Sequence, residues 1–168
     1  MSGMTIRSAT LSDLTEIIQI YNASIPTRKA TADTEPISVE SRLDWFAKHD
    51  TSRPLWVLES DREIVAWIGL TSFYGGRPAY HATAEVSIYI APQHQGKGYG
   101  TMLVRRMIEY CPSLGVTTLL AMYFDHNDAS RRMFEKLGFE QKGHLPEIAI
   151  LDGQKHGLII AAYQIPEE

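Results

Sequence analysis

The chain has 168 residues, of which 44% are hydrophobic and 21% are charged, and its formal net charge at pH 7 is −4. These values are typical of one globular domain and exclude a disordered, collagen-like or coiled-coil architecture. The negative charge argues against a dedicated nucleic-acid binder, which usually carries a basic surface stripe. The longest apolar runs fall far short of the ~18 residues that span a bilayer, and the single Cys111 fits a reducing compartment. We therefore predict a cytoplasmic, single-domain protein over residues 1–168 that binds neither nucleic acid nor a membrane.

The apolar pattern of the first half predicts a strand, two helices and then an antiparallel hairpin. These segments are a strand at Ile6, a helix after the capping pair Thr10 and Asp13, a second helix after Ser38 with Leu43, Phe46 and Ala47 on its inner face, and hairpin strands at 55–58 and 64–70. A polar, irregular stretch separates the two helices.

The second half alternates strands and helices. It contains a strand at 85–90, a helix with Leu103, Val104, Met107, Ile108 and Cys111 on one face, a strand at 116–123, a helix that begins at Asn127, and terminal strands at 148–151 and 158–165. This order of elements predicts an α/β (α+β) protein built around a mixed sheet, because a doubly wound parallel sheet would alternate strands and helices throughout.

A glycine-rich turn, Gln95–Gly100, joins the strand at 85–90 to the following helix. Backbone N–H groups at such a turn and at a helix N-terminus suit a phosphate group. The Walker pattern fails because Gly98 follows Lys97 where a serine or threonine is required, and the dinucleotide fingerprint fails because Thr101 replaces its third glycine. From the residues alone, the turn is either a phosphate site or a tight strand-to-helix connection.

The sequence Gln95-Gly96-Lys97-Gly98-Tyr99-Gly100 resembles the pyrophosphate motif Gln/Arg-x-x-Gly-x-Gly/Ala of the GNAT family of N-acetyltransferases. The segments 127–130 and 137–139 resemble the second coenzyme motif of that family. Further segments, at 32–36, 77–80, 83–90 and 143–146, resemble the phosphinothricin acetyltransferase branch, so the resemblance covers nearly the whole chain. It implies the GNAT fold, in which helices flank a mixed, mostly antiparallel central sheet.

The resemblance implies that acetyl-CoA is the co-substrate and that no metal takes part. It assigns coenzyme contacts to Ile88, Tyr89 and Ile90 along the pantetheine arm, to Gln95, Gly96, Lys97, Gly98, Tyr99 and Gly100 at the pyrophosphate, and to Asn127 and Ser130. Asn127 also reads as a helix cap, and both roles can hold together. None of the six histidines forms a His-x-His or His-x-x-x-His pair, which argues against structural zinc.

Glu85 is the predicted general base, acting directly or through a water. It is a carboxylate in an otherwise apolar strand, where partial burial would raise its pKa into a useful range, and it matches the glutamate of the branch. The alternative is an exposed strand glutamate. Many relatives carry a tyrosine at the position of Phe134, which cannot donate a proton, so the departing thiolate would take its proton from solvent or from the ammonium group.

The branch implies a small amino-acid-like acceptor of the phosphinothricin, methionine sulfoximine or methionine sulfone type. Arg77 would pair with its carboxylate or phosphinate, Tyr80 and Glu35 would form walls of the site, and His156 matches a histidine near the substrate. Arg77 also reads as a solvated loop arginine, and His156 as a surface histidine. Branch relatives are commonly dimers, so we predict a homodimer.

Two other functions remain open from the sequence. One is a protein or peptide N-acetyltransferase, and the other is an acyl-CoA-binding module without catalytic activity. Release of CoA with free amino-acid analogues would separate the predicted enzyme from both.

Overall fold

The computed structural model of the chain describes residues 3–166. Seven strands and four α-helices follow one another as β1 (Met4–Ser8), α1 (Leu14–Ser24), α2 (Leu43–Ala47), β2 (Leu55–Ser60), β3 (Glu63–Ser72), β4 (Thr83–Ile90), α3 (Tyr99–Tyr110), β5 (Thr118–Phe124), α4 (Asp128–Lys136), β6 (Glu140–Leu151) and β7 (Gln154–Gln164). Over these residues, no helix combines the length and the apolar character needed to cross a membrane.

The seven strands form one sheet in the order β1-β2-β3-β4-β5-β7-β6. Every neighbouring pair is antiparallel except β4 and β5, which run parallel. This confirms the predicted fold class, a mixed and mostly antiparallel sheet flanked by helices. The parallel pair is short and joins Thr83–Glu85 to Thr118–Leu120. Beyond these residues β4 and β5 continue without pairing with each other, and each pairs with its other neighbour.

Helices cover both faces of the sheet. α3 and α4 lie on one face and bury Val86 of β4, while α1 and α2 lie on the other and pack Ile17 around Trp67 and Tyr89. Side chains alternate along a strand. Glu85 therefore lies on the same face of β4 as Tyr89, towards α1.

The second helix differs from the prediction. α2 has only five residues, and it is entered through a 3-10 turn at Glu40–Arg42. Leu43 is 45% exposed and Ala47 is exposed, so the predicted inner face is wrong at both positions, whereas Phe46 is half-buried as predicted. A 3-10 turn has three residues per turn instead of 3.6, which shifts the inward face. Here it brings Trp45 against Trp67, with ring centroids 5.5 Å apart.

β6 begins at Glu140 rather than near Ile148, because its pairing with β7 already starts at Glu140, and that pairing shifts register twice along the strand. Gly143 and Pro146 lie inside the strand and conceal it in the sequence. Both are tolerated because β6 is an edge strand, where a proline does not interrupt a ladder on its outer side.

Candidate active site

A cavity of about 510 Å³ opens where β4 and β5 separate. Its lining comes from the end of β4, the glycine-rich turn, the first turn of α4 and the segment that follows α1. Ten of the residues predicted to contact the coenzyme meet here, namely Ile88, Tyr89, Ile90, Gln95, Gly96, Gly98, Tyr99, Gly100, Asn127 and Ser130. Lys97 belongs to the same turn but does not line the cavity, and its Nζ lies 3.4 Å from Nδ1 of His94.

Glycine occupies positions 96, 98 and 100 of the turn for different structural reasons. Gly96 and Gly98 have φ angles of +76° and +82°, and a Cβ atom on either would meet nothing within 4 Å, so these two positions present open backbone to the cavity. Gly100 is needed for packing, because a Cβ there would lie 3.0 Å from Sδ of Met133 on α4. Gly98 is the N-cap of α3, so the first, unpaired N–H groups of that helix lie at the cavity. This end of α3 can hold an anionic group.

Asn127 connects three parts of the site. Its Oδ1 accepts a hydrogen bond from the backbone N–H of Ser130 at 3.1 Å, which caps α4, and its Nδ2 donates to the carbonyl of Lys29 at 3.0 Å. The helix-cap role is therefore present in the structure, and the same side chain lines the cavity.

Three successive carbonyls of the segment after α1 accept side-chain hydrogen bonds from the walls of the cleft. His126 Nε2 donates to the carbonyl of Arg28 at 2.8 Å, and Asn127 donates to the carbonyl of Lys29. The hydroxyl of Tyr89 donates to the carbonyl of Ala30 at 3.1 Å. Residues 28–30 are thereby held across the mouth between β4 and β5. No local sequence pattern signals this, because the partners are far apart in the chain.

Glu85 lies at the point where β4 and β5 part, since its register partner Leu120 is the last residue of β5 that pairs with β4. The side chain is half-buried, and burial raises the pKa of its carboxyl group above its ordinary value of 4.5. Desolvation has this effect because it disfavours the charged form of an acid. The structure therefore does not support the alternative of an exposed strand glutamate.

The four residues predicted for the acceptor do not line the 510 Å³ cavity. Arg77 is exposed between β3 and β4, and Glu35 is exposed in the segment between α1 and α2. Tyr80 is 41% exposed and lies edge-on to Phe73, with ring centroids 5.4 Å apart. His156 is half-buried on β7.

His156 belongs to a cluster that the sequence spacing did not reveal, because it lies on β7 and the other two members lie about 30 residues earlier, in the turn after β5. Asp125, His126 and His156 each have a potential ligand atom within 4.8 Å of the others. The two imidazole rings are stacked, however, with centroids 3.9 Å apart and planes inclined by 25°. The lone pairs of imidazole lie in the ring plane, so in this arrangement the two rings cannot both ligate one ion. His144 Nε2 pairs with Asp125 at 3.0 Å and holds the pKa of that carboxyl below its ordinary value.

Phe134 is buried on α4, where it stacks on Tyr123 and lies edge-on to Phe139. The position that carries a tyrosine in many relatives is therefore part of the apolar core, and it presents no proton donor to the cleft.

Comparison with known proteins identifies the family and the fold. The profile of the Acetyltransferase (GNAT) family matches residues 14–139. The Bacillus subtilis protein named "Putative phosphinothricin acetyltransferase YwnH" is 45% identical over 96% of this chain and 99% of its own length. The L-methionine sulfoximine/L-methionine sulfone acetyltransferase of Salmonella typhimurium is 30% identical over 98% of this chain and 96% of its own length.

Among solved structures, the phosphinothricin acetyltransferase of Sinorhizobium meliloti in complex with acetyl-CoA superposes with a TM-score of 0.90. It is 26% identical, and the match covers 98% of this chain and 90% of that one. Because the family profile spans most of the chain and the relatives match over almost their entire lengths, the chain belongs to the GNAT family and is an acetyltransferase that uses acetyl-CoA as its co-substrate.

Proposed function

We propose that residues 1–168 form one N-acetyltransferase domain that acetylates the amine of a small amino-acid-like acceptor. The observation that carries this proposal is the cleft between β4 and β5, whose lining includes the anion-binding N-terminus of α3. The half-buried Glu85 does not line the cavity itself, but it lies at the last residue pair of β4 and β5, three residues before Ile88, where the β4 part of the lining begins. The Bacillus and Salmonella relatives support the acceptor class, since their names refer to phosphinothricin, methionine sulfoximine and methionine sulfone.

The coenzyme fits the cleft by a simple division of roles. Its pyrophosphate takes the N–H groups of the turn 95–100 and of the first turn of α3. Its pantetheine arm lies beside residues 88–90 of β4, whose backbone has no β5 partner in the described sheet, and pairs with them as an added strand. Asn127 and Ser130 complete the wall on the α4 side.

In the reaction, Glu85 takes the proton of the acceptor ammonium, directly or through a water. The neutral nitrogen attacks the thioester carbonyl, and a backbone N–H of β4 stabilises the oxyanion. The C–S bond then breaks, and the nitrogen, which became positively charged in the attack, releases its second proton to solvent to give the amide. The CoA thiolate takes its proton from solvent or from the proton that Glu85 accepted, because Phe134 offers none. A carboxyl group with a raised pKa suits both steps.

Arg77 is proposed to bind the acid group of the acceptor. Its exposed guanidinium stands in the connection that leads from β3 into β4. Tyr80 lies in the same connection, with its ring against those of Phe73 and Tyr74. A planar guanidinium matches a carboxylate or a phosphinate. Glu35 and His156 are proposed to border the same space.

We also propose a homodimer and a cytoplasmic location. The edge strand β6 exposes Ile148 and Ile150, by 57% and 65%, and an apolar sheet edge of this kind favours association with another strand. The buried free thiol of Cys111 fits a reducing compartment.

A screen for CoA release tests the proposed activity. The purified chain and acetyl-CoA are combined with methionine sulfone, methionine sulfoximine, phosphinothricin, polyamines and peptides in parallel. We expect turnover with at least one of the three amino-acid analogues. Turnover confined to peptides would overturn the acceptor class, and acetyl-CoA binding without turnover on any amine would indicate a binding module.

A further inference from the structure

A second cavity, of about 170 Å³, lies on the α1 face of the sheet. Four aromatic rings form most of its wall, and we call it the aromatic box: Tyr21, Trp45, Trp67 and Tyr89, with Arg42 and Ser87 as its polar members. Trp67 stacks on Tyr89 with centroids 4.9 Å apart, and Tyr21 and Trp45 stand edge-on to this pair. The volume has room for about five or six atoms of the size of a water molecule.

The polar groups of the box are few and mostly donors. The indole N–H of Trp67 donates to the carbonyl of Ile17 at 3.1 Å, so that ring offers only carbon surface to the box. Arg42 lies over the ring of Tyr21, 5.5 Å from its centroid, and pairs with Asp33 at 3.2 Å. The carboxylate of Asp33 balances the guanidinium charge, so the box suits an uncharged occupant that accepts hydrogen bonds.

The position of the box relates it to the proposed chemistry. Ser87 follows Glu85 by two residues on the same face of β4, a distance of about 7 Å along a strand. Tyr89 lines both the box and the 510 Å³ cavity, so a single ring separates an occupant of the box from the cleft. An amine placed at Glu85 therefore has the box within reach of its side chain.

We propose that the aromatic box binds the side chain of the acceptor and sets its length. The class it fits is a linear, uncharged side chain of about six non-hydrogen atoms whose terminal oxygens accept hydrogen bonds from Arg42 and Ser87, as those of a sulfone can. This inference rests on the proposed function. It makes Arg42, Trp45 and Ser87 determinants of specificity, none of which the sequence analysis had singled out.

Filling the box tests the proposal by kinetics. In Ser87→Leu the larger side chain occupies the space, so kcat/KM for methionine sulfone should fall by about tenfold or more relative to that for alanine, while the KM of acetyl-CoA stays unchanged. Ser113→Leu is the matched control, because Ser113 lies in the exposed turn after α3 and lines neither cavity. An equal fall for long and short acceptors would overturn the box as the side-chain site.

Fluorescence gives a readout without turnover. Two of the three tryptophans line the box, and the third, Trp56, lies in β2. With CoA in place of acetyl-CoA, methionine sulfone should change the tryptophan emission. Trp45→Phe should reduce that change, because only Trp67 then reports from the box, and Trp56→Phe should retain it in full. A response that Trp45→Phe leaves intact would overturn the proposal. If no acceptor is acetylated but the Trp45-dependent response persists, the proposed activity fails and the box stands.

Discussion

Burial gives Glu85 a property that the proposed chemistry needs. Desolvation of the side chain, at the last residue pair of β4 and β5, raises the pKa of the carboxyl group, so that it can accept and hold a proton more readily than an exposed glutamate. Replacing it with glutamine preserves size and removes the proton acceptor. We expect Glu85→Gln to lower kcat/KM by about 10²–10⁴, with a smaller loss at high pH, where more of the acceptor amine is already neutral. Acetyl-CoA affinity, measured by calorimetry, should barely change. Near-normal kcat/KM from pH 6 to 9 would show that Glu85 is not the base.

The same variant should be more stable than the parent protein at neutral pH. Because the pKa of Glu85 in the folded state lies above its ordinary value of 4.5, its contribution to stability is complete below that pH and is lost as the pH rises through the raised pKa. Thermal unfolding should therefore show a higher Tm for Glu85→Gln at pH 7 and no gain at pH 4. A variant that is less stable at pH 7 would contradict a desolvated carboxylate.

Replacing Arg77 should change the KM of one substrate only. If its guanidinium binds the acid group of the acceptor, Arg77→Ala should raise the KM of the acceptor by about tenfold or more and leave the KM of acetyl-CoA alone. Arg77→Lys retains the charge without the planar fork and should recover only part of the loss. Equal changes in both KM values would mean that the residue supports the loop and does not contact the acceptor.

At the scale of elements, the glycine-rich turn and α3 carry the coenzyme proposal. Gly98→Glu places a negative charge at the anion-binding end of α3, so the affinity for acetyl-CoA should fall steeply while the protein stays folded. A non-glycine residue at φ +82° is also strained, and Gly115→Glu controls for this, because Gly115 has φ +70°, equally open space around its Cβ position, and no place in the cavity lining. Calorimetry and circular dichroism on both variants would separate the effects. Unchanged affinity in Gly98→Glu would remove the turn from the coenzyme site.

The sequence predicts those parts of the site whose signals are local. The turn 95–100 and the cap at Asn127 depend on neighbours within a few residues, so both are visible in the sequence and both lie at the cleft. The hydrogen bonds from Tyr89 and His126 to residues 28–30 join distant parts of the chain, and nothing local announces them. Arrangements of this second kind, which include the aromatic box, depend on tertiary packing.

The helices and strands are likewise predicted where their sequence signal is local and regular. The alternating pattern of β4 and the amphipathic pattern of α3 predict both elements, because each buries one regular face. The first part of β6 was missed, since Gly143 and Pro146 break its pattern and the outer edge of the sheet tolerates them. The inner face of α2 was wrong because the 3-10 turn before it changes the angular step between residues.

For the whole molecule, the exposed edge of β6 makes a prediction about assembly. Ile150→Lys places a charge on the proposed dimer surface, and a like charge from the partner would then face it across the interface. Light scattering after gel filtration should show a dimer for the parent protein and a monomer for Ile150→Lys, whereas Leu11→Lys, at another exposed apolar position, should stay dimeric. A parent protein that is monomeric at all concentrations would end the dimer proposal.

The order of strands also has a consequence for biosynthesis. β7 is synthesised after both β5 and β6, yet it lies between them in the sheet. While the nascent chain emerges from the ribosome, the edge of β5 and the inner edge of β6 have no partner, and unpaired edges of this kind promote aggregation. The glycine-rich turn and α3 can form early. His156 reaches its native position, and β6 joins the sheet, only when β7 inserts between β5 and β6. A chain stalled before residue 154 would thus expose two open edges and depend on chaperones.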